Sequence, residues 1–400
     1  MIGDWTAART RRMTPESVGL LGRESRLRQS DWVLTAAVLS LSLIGVLLVA
    51  AATSRTAANK LHPYSITKHQ ILFLLIGLVL AVIAAMADYR AVRSSAPVIY
   101  VLGLLGLLAT FAIGTSVAGA KAWISIGAGL TIQPSEFAKL AVIVLVAMLF
   151  NAAREDRREI GDLDVLRALL LMGFPMLLIL KQNDLGTMLV MVAIVFGVLA
   201  VGGVPTRWML ALTGLMIVGT VFIVKLHMLS GYQQGRITAY LHPDSPAVLK
   251  LSGYNAHQAR LAIGSGGIKG TGLFHGPLIN NGSLFAAHTD FIFATAGEEL
   301  GFIGASVIIL LLGVVLWRGM RIAAHAPDLF GRVVAAGIVC WLAFESFENI
   351  GMNLGIMPVT GIPLQFVSYG GSSMFASMLA IGLLQNVHIQ TKAATTSSRL

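Results

Sequence analysis

The sequence is poor in cysteine and in charge, and these two shortages narrow the class of protein. Cys340 is the one cysteine among 400 residues, which excludes an intramolecular disulfide and a thiolate metal cluster. Charged residues make up 12% of the chain, about half of the share in a soluble domain. The N-terminus shows no cleavable signal peptide. What is abundant is apolar: 56% of the residues are hydrophobic and the mean hydropathy is +0.78. This balance predicts an all-α polytopic membrane protein.

Ten apolar runs approach the roughly 20 residues with which a helix crosses ~30 Å of hydrocarbon. The runs lie near residues 32–52, 69–88, 96–115, 134–152, 164–181, 185–202, 207–227, 291–317, 328–350 and 367–388. They predict a ten-helix membrane domain over 32–388, between an N-terminal tail (1–31) and a C-terminal tail (389–400). A large extracellular loop, 228–290, is predicted between helices 7 and 8.

The basic residues predict the orientation. A net charge of +10 can indicate nucleic-acid binding, but here Lys and Arg cluster in short loops between apolar runs. This is the positive-inside pattern of a membrane protein. With the N-terminus inside, 18 of the 29 basic residues fall on the inner side, so both tails are predicted to be cytoplasmic. All unusual polar segments then fall outside, and chemistry is expected at the outer face.

Asp290 is the first candidate for that chemistry. It lies in the string HTDF, at the end of a polar stretch of roughly sixty residues and at the start of an apolar helix. A carboxylate placed where water meets membrane is costly, and such residues are functional candidates.

Residues 116–139 and 182–187 supply further polar candidates. Trp123 and its neighbours fit an interfacial re-entrant segment, with Lys121 pointing to water. Glu136 and Lys139 are spaced i, i+3 on a helix begun by a proline, so they can pair. This pair is either structural or a charged wall of a substrate cavity. Asp184 begins another helix and is either an N-cap or a substrate contact.

The loop 228–290 contains two amphipathic stretches, near 233–241 and 254–263, followed by a glycine-rich run from Gly264 to Pro277. That run is either a flexible loop or a backbone cradle for phosphate, with Lys269 as its cation. Arg236, Lys269 and Arg260 are the cations available to an anionic substrate. The histidines of the loop have no metal-ligand spacing.

The string PVTGIPLQFVSYGGSS opens the last span. Its prolines and glycines predict broken helix, which at membrane depth is tolerated where it lines a cavity. Ser368 in this string is a candidate substrate contact. The acids Glu298, Glu345 and Glu348 lie within spans, which indicates either structural hydrogen bonding or a proton path.

These strings resemble the SEDS family (shape, elongation, division and sporulation), most closely its RodA branch. The resemblance covers nearly all of residues 31–390 and the strings follow the family's order. The matching strings are WISIGAGLTIQPSEFAKL, DLGT, AIGSGGIKGTGL, HTDFIFATAGEELGFIG and NIGMNLGIMPVTGIPLQFVSYGGSS.

The resemblance implies ten membrane helices and a peptidoglycan glycosyltransferase of the bacterial cytoplasmic membrane, serving cell elongation and shape. Such an enzyme polymerises lipid II into glycan strands at the outer face. The family's catalytic acid corresponds to Asp290, and the Glu and Lys of its QPSE-x-x-K string to Glu136 and Lys139. The α-linked lipid precursor becomes a β-1,4 link, so one inverting displacement of undecaprenyl pyrophosphate needs a general base and cations but no covalent nucleophile. No cofactor is certain, and a divalent cation, Mg²⁺ or Mn²⁺, stays open.

A partner is also implied, namely a class B penicillin-binding protein that acts as the transpeptidase. Small residues in the last three spans are predicted to let its helix approach closely. They are Gly304, Ala305, Ala335, Ala336 and Gly337.

The sequence departs from the family at three places beside the proposed site. Ala286 and Ala287 stand where the family usually reads Leu-Pro-Glu or similar, and Gln365 stands where proline is usual. A glutamine common after the glycine-rich run is replaced near Leu278. Two other functions stay open: a flippase or transporter of lipid-linked precursors, favoured by the acids within spans, and a non-catalytic scaffold for cell-wall enzymes.

Overall fold

Each apolar run forms a helix, because backbone polar groups inside a membrane have to be satisfied within their own segment. The computed structural model describes residues 29–54, 64–117, 119–127, 130–156, 159–225, 231–242, 245 and 253–397. In chain order the helices are α1 (Trp32–Ser54), α2 (Ser65–Met86), α3 (Tyr89–Ser94), α4 (Ala96–Ile113), α5 (Pro134–Glu155), α6 (Asp162–Lys181), α7 (Leu185–Gly202), α8 (Thr206–Lys225), α9 (Gly231–Leu241), α10 (Tyr254–Gly266), α11 (Pro277–Asn280), α12 (Ile292–Ala324), α13 (Leu329–Leu354) and α14 (Gly371–Ser397).

Nine of the described helices are long and apolar enough to cross a membrane, and α8 has a shorter apolar part over Thr206–Phe222. The chain is therefore a multi-pass membrane protein with about ten spanning helices, as the hydropathy pattern predicts. The tails of the predicted organisation lie largely outside the described residues, as do parts of the loop 228–290.

Local sequence signals set several helix boundaries. Pro134 occupies the first turn of α5, where its missing N–H costs nothing. Asp184 caps α7, and its carboxylate accepts a hydrogen bond of 3.0 Å from the Thr187 N–H. Gly203 and Gly355 end α7 and α13 with φ of 84° and 78°, a left-handed conformation that favours glycine.

A small antiparallel sheet forms where an interfacial re-entrant segment is predicted near Trp123. Its strands are β1 (Thr115–Val117), β2 (Ala120–Gly127) and β3 (Leu130–Ile132), in the order β1-β2-β3. The sheet pairs backbone groups that an irregular segment would leave unsatisfied. The fold is thus nearly all-α, with one sheet between α4 and α5.

The centre of the bundle is formed by α5, α13 and α14. Within their apolar windows 78%, 72% and 83% of the residues are buried, against 28% for α2 and 22% for α4. The two outer helices therefore present most of their surface to lipid, whereas the central three carry many of the buried polar residues.

Small residues of α13 serve packing inside this chain. Ala335 and Ala336 are 0% and 7% exposed. A Cβ added at Gly337 would lie 2.8 Å from Ile143 Cγ2 and 3.0 Å from Val198 Cγ2. The prediction that these small residues contact a partner helix is therefore wrong for Ala335, Ala336 and Gly337, because neighbouring helices of the bundle already occupy the space.

At one end of the bundle, Asp31, just before α1, is hydrogen-bonded to α12 and α14. Its carboxylate accepts a hydrogen bond of 2.7 Å from Arg318 Nε. Gln385 of α14 accepts from the Asp31 N–H at 2.7 Å and donates to the Asp31 carbonyl at 2.8 Å. We refer to this as the Asp31 end and to the opposite one, where α12 begins, as the Asp290 end.

Candidate active site at the Asp290 end

Asp290 lies two residues before α12, and α13 holds its backbone in place. Its carbonyl oxygen accepts hydrogen bonds from Asn349 Nδ2 at 2.9 Å and from Asn353 Nδ2 at 3.1 Å. Asn353 also accepts from the Ala294 N–H at 3.0 Å, in the first turn of α12. The two asparagines lie one turn apart on one face of α13, so a rigid helix fixes the position of the acid.

The segment before Asp290 is bound to the loop that precedes α14. Ser368 Oγ donates to the Thr289 carbonyl at 2.6 Å and accepts from the Leu364 N–H at 2.8 Å. The Tyr369 N–H donates to the His288 carbonyl at 2.9 Å. Ser368 is 3% exposed and its hydroxyl is engaged on both sides, so in this arrangement it positions the acid instead of facing a substrate.

Arg236 of α9 is the cation beside Asp290. Its Nη1 donates to the Thr360 carbonyl at 3.0 Å. A Cβ added at Gly361 would lie 3.5 Å from Asp290 Oδ2 and 3.8 Å from Arg236 Nη2. Gly361 has a φ of 79° and carries no side chain, so the acid and the guanidinium share an open rim there.

A small pocket opens beside Arg236, which forms part of its wall. Arg260 of α10 also lines it, together with apolar walls that include Tyr240 and Met357. The Arg260 side chain packs over Gly355, where an added Cβ would lie 3.0 Å from Arg260 Cδ. In the described part of the chain no carboxylate lies within ion-pair distance of Arg260. Two guanidiniums and an apolar wall fit the anionic head of a lipid-linked molecule.

Burial sets the electrostatics of the acid. It raises the pKa of Asp290 above the ordinary value of an aspartic acid, and the Thr289 hydroxyl and the positive charge of Arg236 oppose this rise. Burial also lowers the pKa of the neighbouring His288. A carboxyl whose pKa is raised is a better proton acceptor once ionised, which suits a general base.

Asp184 lies near the loop that contains Thr360 and Gly361. Besides capping α7, it accepts hydrogen bonds from Gln133 Nε2 at 3.0 Å and from Thr187 Oγ1 at 2.8 Å. A Cβ at Gly186 would lie 3.1 Å from the Thr360 carbonyl, the group that Arg236 binds. The N-cap prediction is confirmed, and the half-buried carboxylate lies near the site as well.

Glu136 and Lys139 form the predicted ion pair, but the pair is buried inside the bundle and does not form the wall of a cavity. Lys139 Nζ donates to Glu136 Oε1 at 2.8 Å and also to Glu345. It lies 4.6 Å from the centre of the Trp341 ring and is 0% exposed. No spacing in the sequence indicates the second carboxylate, because Glu345 lies 206 residues further along the chain, on α13. In this arrangement the ammonium is enclosed by protein and offers no surface to a substrate.

Lys121 and Lys269 are not brought to Asp290. Lys121 lies on β2 and donates to the Phe111 carbonyl at 2.7 Å, at the end of α4. Lys269 is exposed beside a kink in α12 at Gly301, where an added Cβ would lie 2.7 Å from the Lys269 carbonyl carbon. Their substrate contacts stay predictions that this arrangement does not provide.

The glycine-rich run packs on that kink instead of forming an open phosphate cradle. Gly301 has φ 69° and ψ −167°, which interrupts the hydrogen bonding of α12. The freed groups pair with the run: Phe302 N–H donates to Gly267 and Thr271 N–H donates to Glu298, each at 2.9 Å. The glycines are therefore needed for close backbone approach.

The remaining acids within spans differ in their surroundings. Glu298 accepts from the N–H groups of Leu278 and Ile279 at 2.8 and 3.1 Å, so it ties α11 to α12. Glu348 is 0% exposed and has the Thr360 side chain beside its carboxylate. The described residues contain no group of three or more His, Cys, Asp or Glu placed to hold a metal ion.

The fold and the site define a class: a polytopic helical membrane protein whose one end presents a half-buried acid beside an arginine-lined pocket. Residues 31–393 match the family model described as the cell cycle protein family of FtsW, RodA and SpoVE. The match spans most of the chain, and the protein belongs to this family.

Similar proteins carry related names. The chain is 36% identical, over 95% of its length and 98% of the relative's, to "Probable peptidoglycan glycosyltransferase FtsW" of Trichlorobacter lovleyi. It is 35% identical, over 80% of its length and 85% of the relative's, to "Peptidoglycan glycosyltransferase MrdB" of Escherichia coli. Among solved structures it resembles a chain of "Structural coordination of polymerization and crosslinking by a peptidoglycan synthase complex", with a TM-score of 0.74 and 29% identity over 90% of this chain and 98% of that one. The nearly equal identities do not separate the branches, so the RodA branch stays a prediction.

Proposed function

We propose that this protein is a peptidoglycan glycosyltransferase that polymerises lipid II at the outer face of the cytoplasmic membrane. The observation that carries the proposal is Asp290, fixed by α13 beside Arg236 and a pocket with a second arginine. Family membership and the names of the relatives support the same activity.

Asp290 acts as the general base. A sugar hydroxyl attacks the anomeric carbon that bears lipid pyrophosphate, and the Asp290 carboxylate takes the hydroxyl proton as the new bond forms. Such a base contributes typically ~10²–10⁴-fold to the rate. The bond to pyrophosphate breaks in the same displacement, which inverts the anomeric configuration and requires no covalent intermediate.

Arg236 and Arg260 hold a phosphate group of a lipid-linked saccharide in the pocket between α9 and α10. Their guanidiniums offer bidentate donors to phosphate oxygens, and Tyr240 and Met357 cover the apolar side. Asp184 before α7 and Gln133 before α5, which are hydrogen-bonded to each other at 3.0 Å, bind sugar hydroxyls.

A divalent cation, if required, arrives with the substrate. Mg²⁺ is usually bound by one or two carboxylates plus substrate phosphates and not by a protein cage. Asp184 is the half-buried carboxylate that suits this use, and the cation would supply positive charge to the leaving pyrophosphate.

The transporter alternative loses the support of two of the three acids that motivated it, Glu298 and Glu345. Glu298 is engaged with backbone N–H groups of α11, and Lys139 is enclosed between Glu136 and Glu345. Neither arrangement is an open polar route through the bundle. The scaffold alternative is distinguished from the enzyme by Asp290, which an enzyme needs and a scaffold does not.

Elongation of the cell is the proposed setting, with a class B penicillin-binding protein as partner. The similar solved structure is of a peptidoglycan synthase complex that coordinates polymerization with crosslinking. In the described residues this chain adds to its helices only short loops, small helices and one sheet, so crosslinking of peptides is assigned to the partner.

The test is polymerisation of purified lipid II by the purified protein, with and without the partner. Asp290→Asn is expected to abolish product while the thermal midpoint in detergent changes little, because asparagine is nearly isosteric but accepts no proton. Asp328→Asn is the matched control: Asp328 caps α13 by accepting from the Gly331 N–H, a role asparagine can keep. Full activity of Asp290→Asn would remove the general-base role of Asp290, and failure of the unmodified protein to polymerise lipid II, with and without the partner, would leave the scaffold or transporter.

A further inference from the structure

Gln365 occupies the position where the resembling family usually has proline, and its side chain joins two helices. It is 1% exposed. Its Nε2 donates to a carboxylate oxygen of Glu345 on α13, and its Oε1 accepts from the Ser377 hydroxyl on α14. Both ends of the amide are therefore engaged inside the bundle.

Glu345 connects Gln365 to the buried ion pair. One of its carboxylate oxygens accepts from Lys139, which also donates to Glu136 at 2.8 Å, and the other accepts from Gln365. Two carboxylates around one ammonium are costly unless their remaining lone pairs are satisfied. The Gln365 amide supplies that donor, so the position of Gln365 is set by the charged cluster.

The backbone around Gln365 carries this position to the acid. The Ser368 N–H donates to the Leu364 carbonyl at 2.9 Å, and Ser368 Oγ accepts from the Leu364 N–H at 2.8 Å, which closes a tight turn around Gln365. Phe366 within it has a φ of 67°, a strained value for a large side chain that persists only where the surroundings hold it. The same Ser368 hydroxyl binds the Thr289 carbonyl, one residue before Asp290.

One face of α13 holds every part of this arrangement. Glu345, Asn349 and Asn353 follow one another at intervals of one turn. Asn349 Nδ2 donates to the Ile362 carbonyl at 2.7 Å and to the Asp290 carbonyl at 2.9 Å. The turn is thus anchored before Gln365 by Asn349 and at Gln365 by Glu345, on the helix that also fixes Asp290.

We propose that Gln365 and Glu345 are positioning residues for Asp290: their hydrogen bond replaces the rigidity of a proline and fixes the Leu364–Ser368 turn against which the Asp290 segment is set. Neither residue touches the substrate. The inference rests on the proposed role of Asp290 as the base. A base has to lie within about 2.6–3.2 Å of the proton donor, and a displacement of 1 Å can cost ~10²-fold.

The first measurement is kcat and KM of lipid II polymerisation for Gln365→Met, a change that keeps side-chain length and removes both hydrogen bonds. We expect kcat to fall roughly 10- to 100-fold and KM to stay within about two-fold, because the arginine pocket is unchanged. Gln385→Met is the matched control. Gln385 is 5% exposed and equally hydrogen-bonded, but it lies at the Asp31 end. Its variant is expected to lose thermal stability and keep kcat per folded molecule.

The second measurement is an exchange of the two partners, Glu345→Gln with Gln365→Glu. In the exchanged pair the amide at 345 donates to the carboxylate at 365, Lys139 donates to the amide oxygen at 345, and Ser377 still has an acceptor. The exchange is expected to restore kcat to within about three-fold of the original. Gln365→Glu alone brings two carboxylates together and is expected to stay impaired. Ser377→Ala removes one bond of Gln365 and serves if Gln365→Met does not fold, with an expected loss of several-fold in kcat.

Unchanged kcat in Gln365→Met, or an equal loss of kcat in Gln385→Met, would overturn the inference. Failure of the exchange to recover kcat while the protein folds would do the same. Asp290→Asn in the same assay distinguishes failure of the positioning role from failure of the proposed role of Asp290. If it is inactive and Gln365→Met is normal, only the positioning role is lost, whereas an active Asp290→Asn removes the role of Asp290 as the base, on which the inference rests.

Discussion

Asp290 carries the chemistry at the scale of single residues, and its protonation predicts a pH dependence. Its pKa is raised by burial, so it keeps its proton to higher pH than an ordinary aspartic acid, and kcat is lost as pH falls through that value. The charge of Arg236 opposes the rise. Arg236→Gln is therefore expected to raise the pKa further and move the acidic limb of the kcat profile to higher pH.

A pH series of kcat on both proteins checks this shift. Arg260→Gln is the control, since Arg260 lines the same pocket but is not among the groups that move the pKa of Asp290. It is expected to raise KM and leave the acidic limb in place. A limb that does not move in Arg236→Gln would mean that another group titrates.

Helices α5 and α13 are joined by the buried cluster of Glu136, Lys139 and Glu345, and its charges predict an order of stabilities. Lys139→Met leaves two carboxylates without their cation, and breaking such a buried arrangement costs about 3–5 kcal/mol. Glu136→Gln leaves Lys139 paired with Glu345 and is expected to cost clearly less. Thermal unfolding in detergent gives the order.

The double change Glu136→Gln with Lys139→Met tests the same cluster. It leaves Glu345 as the remaining carboxylate, with Gln365 still donating to it. It is expected to be more stable than Lys139→Met alone. If Lys139→Met is no less stable than Glu136→Gln, the cluster does not act as two carboxylates sharing one cation.

The whole molecule has to lie in the membrane with the Asp290 end outside for the proposed function to hold. Single cysteines at Ser283 and Ser397, in a Cys340→Ala background, test this orientation. An impermeant thiol reagent on intact cells is expected to label position 283 and not 397. Labelling of 397 alone would place the chemistry inside.

The partner is expected to dock on a lipid-facing surface of the last spans, since the small residues Ala335, Ala336 and Gly337 of α13 are buried in the bundle. On α12, Phe302 and Leu310 are 70% and 67% exposed. Changing both to alanine is expected to weaken co-purification with the transpeptidase at least several-fold. Leu102→Ala with Leu105→Ala on α4, at 62% and 55% exposure, is the control. Equal retention of the partner by both variants would exclude this face of α12.

The sequence by itself determined the features that depend on neighbouring residues. Hydropathy runs gave the helices, because a membrane span has to be long, apolar and internally hydrogen-bonded. Pro134 and Asp184 marked helix starts, and the i, i+3 spacing paired Glu136 with Lys139, because these interactions span one turn. Asp290 could be singled out since a carboxylate at a span boundary is unusual whatever surrounds it.

Only the tertiary structure decided how distant segments meet. Glu345 reaches Lys139 across 206 residues of sequence, and Ser368 reaches Thr289 across 79. The sequence of the glycine-rich run is compatible with phosphate binding, but in the structure its backbone groups pair with the kink at Gly301. Two cations of the same polar loop also lie apart in the structure: Arg236 is beside Asp290, whereas Lys269 is beside the kink at Gly301. Composition cannot specify such partners, because a buried hydrogen bond depends on which helices pack together, and that choice is made by the whole bundle at once.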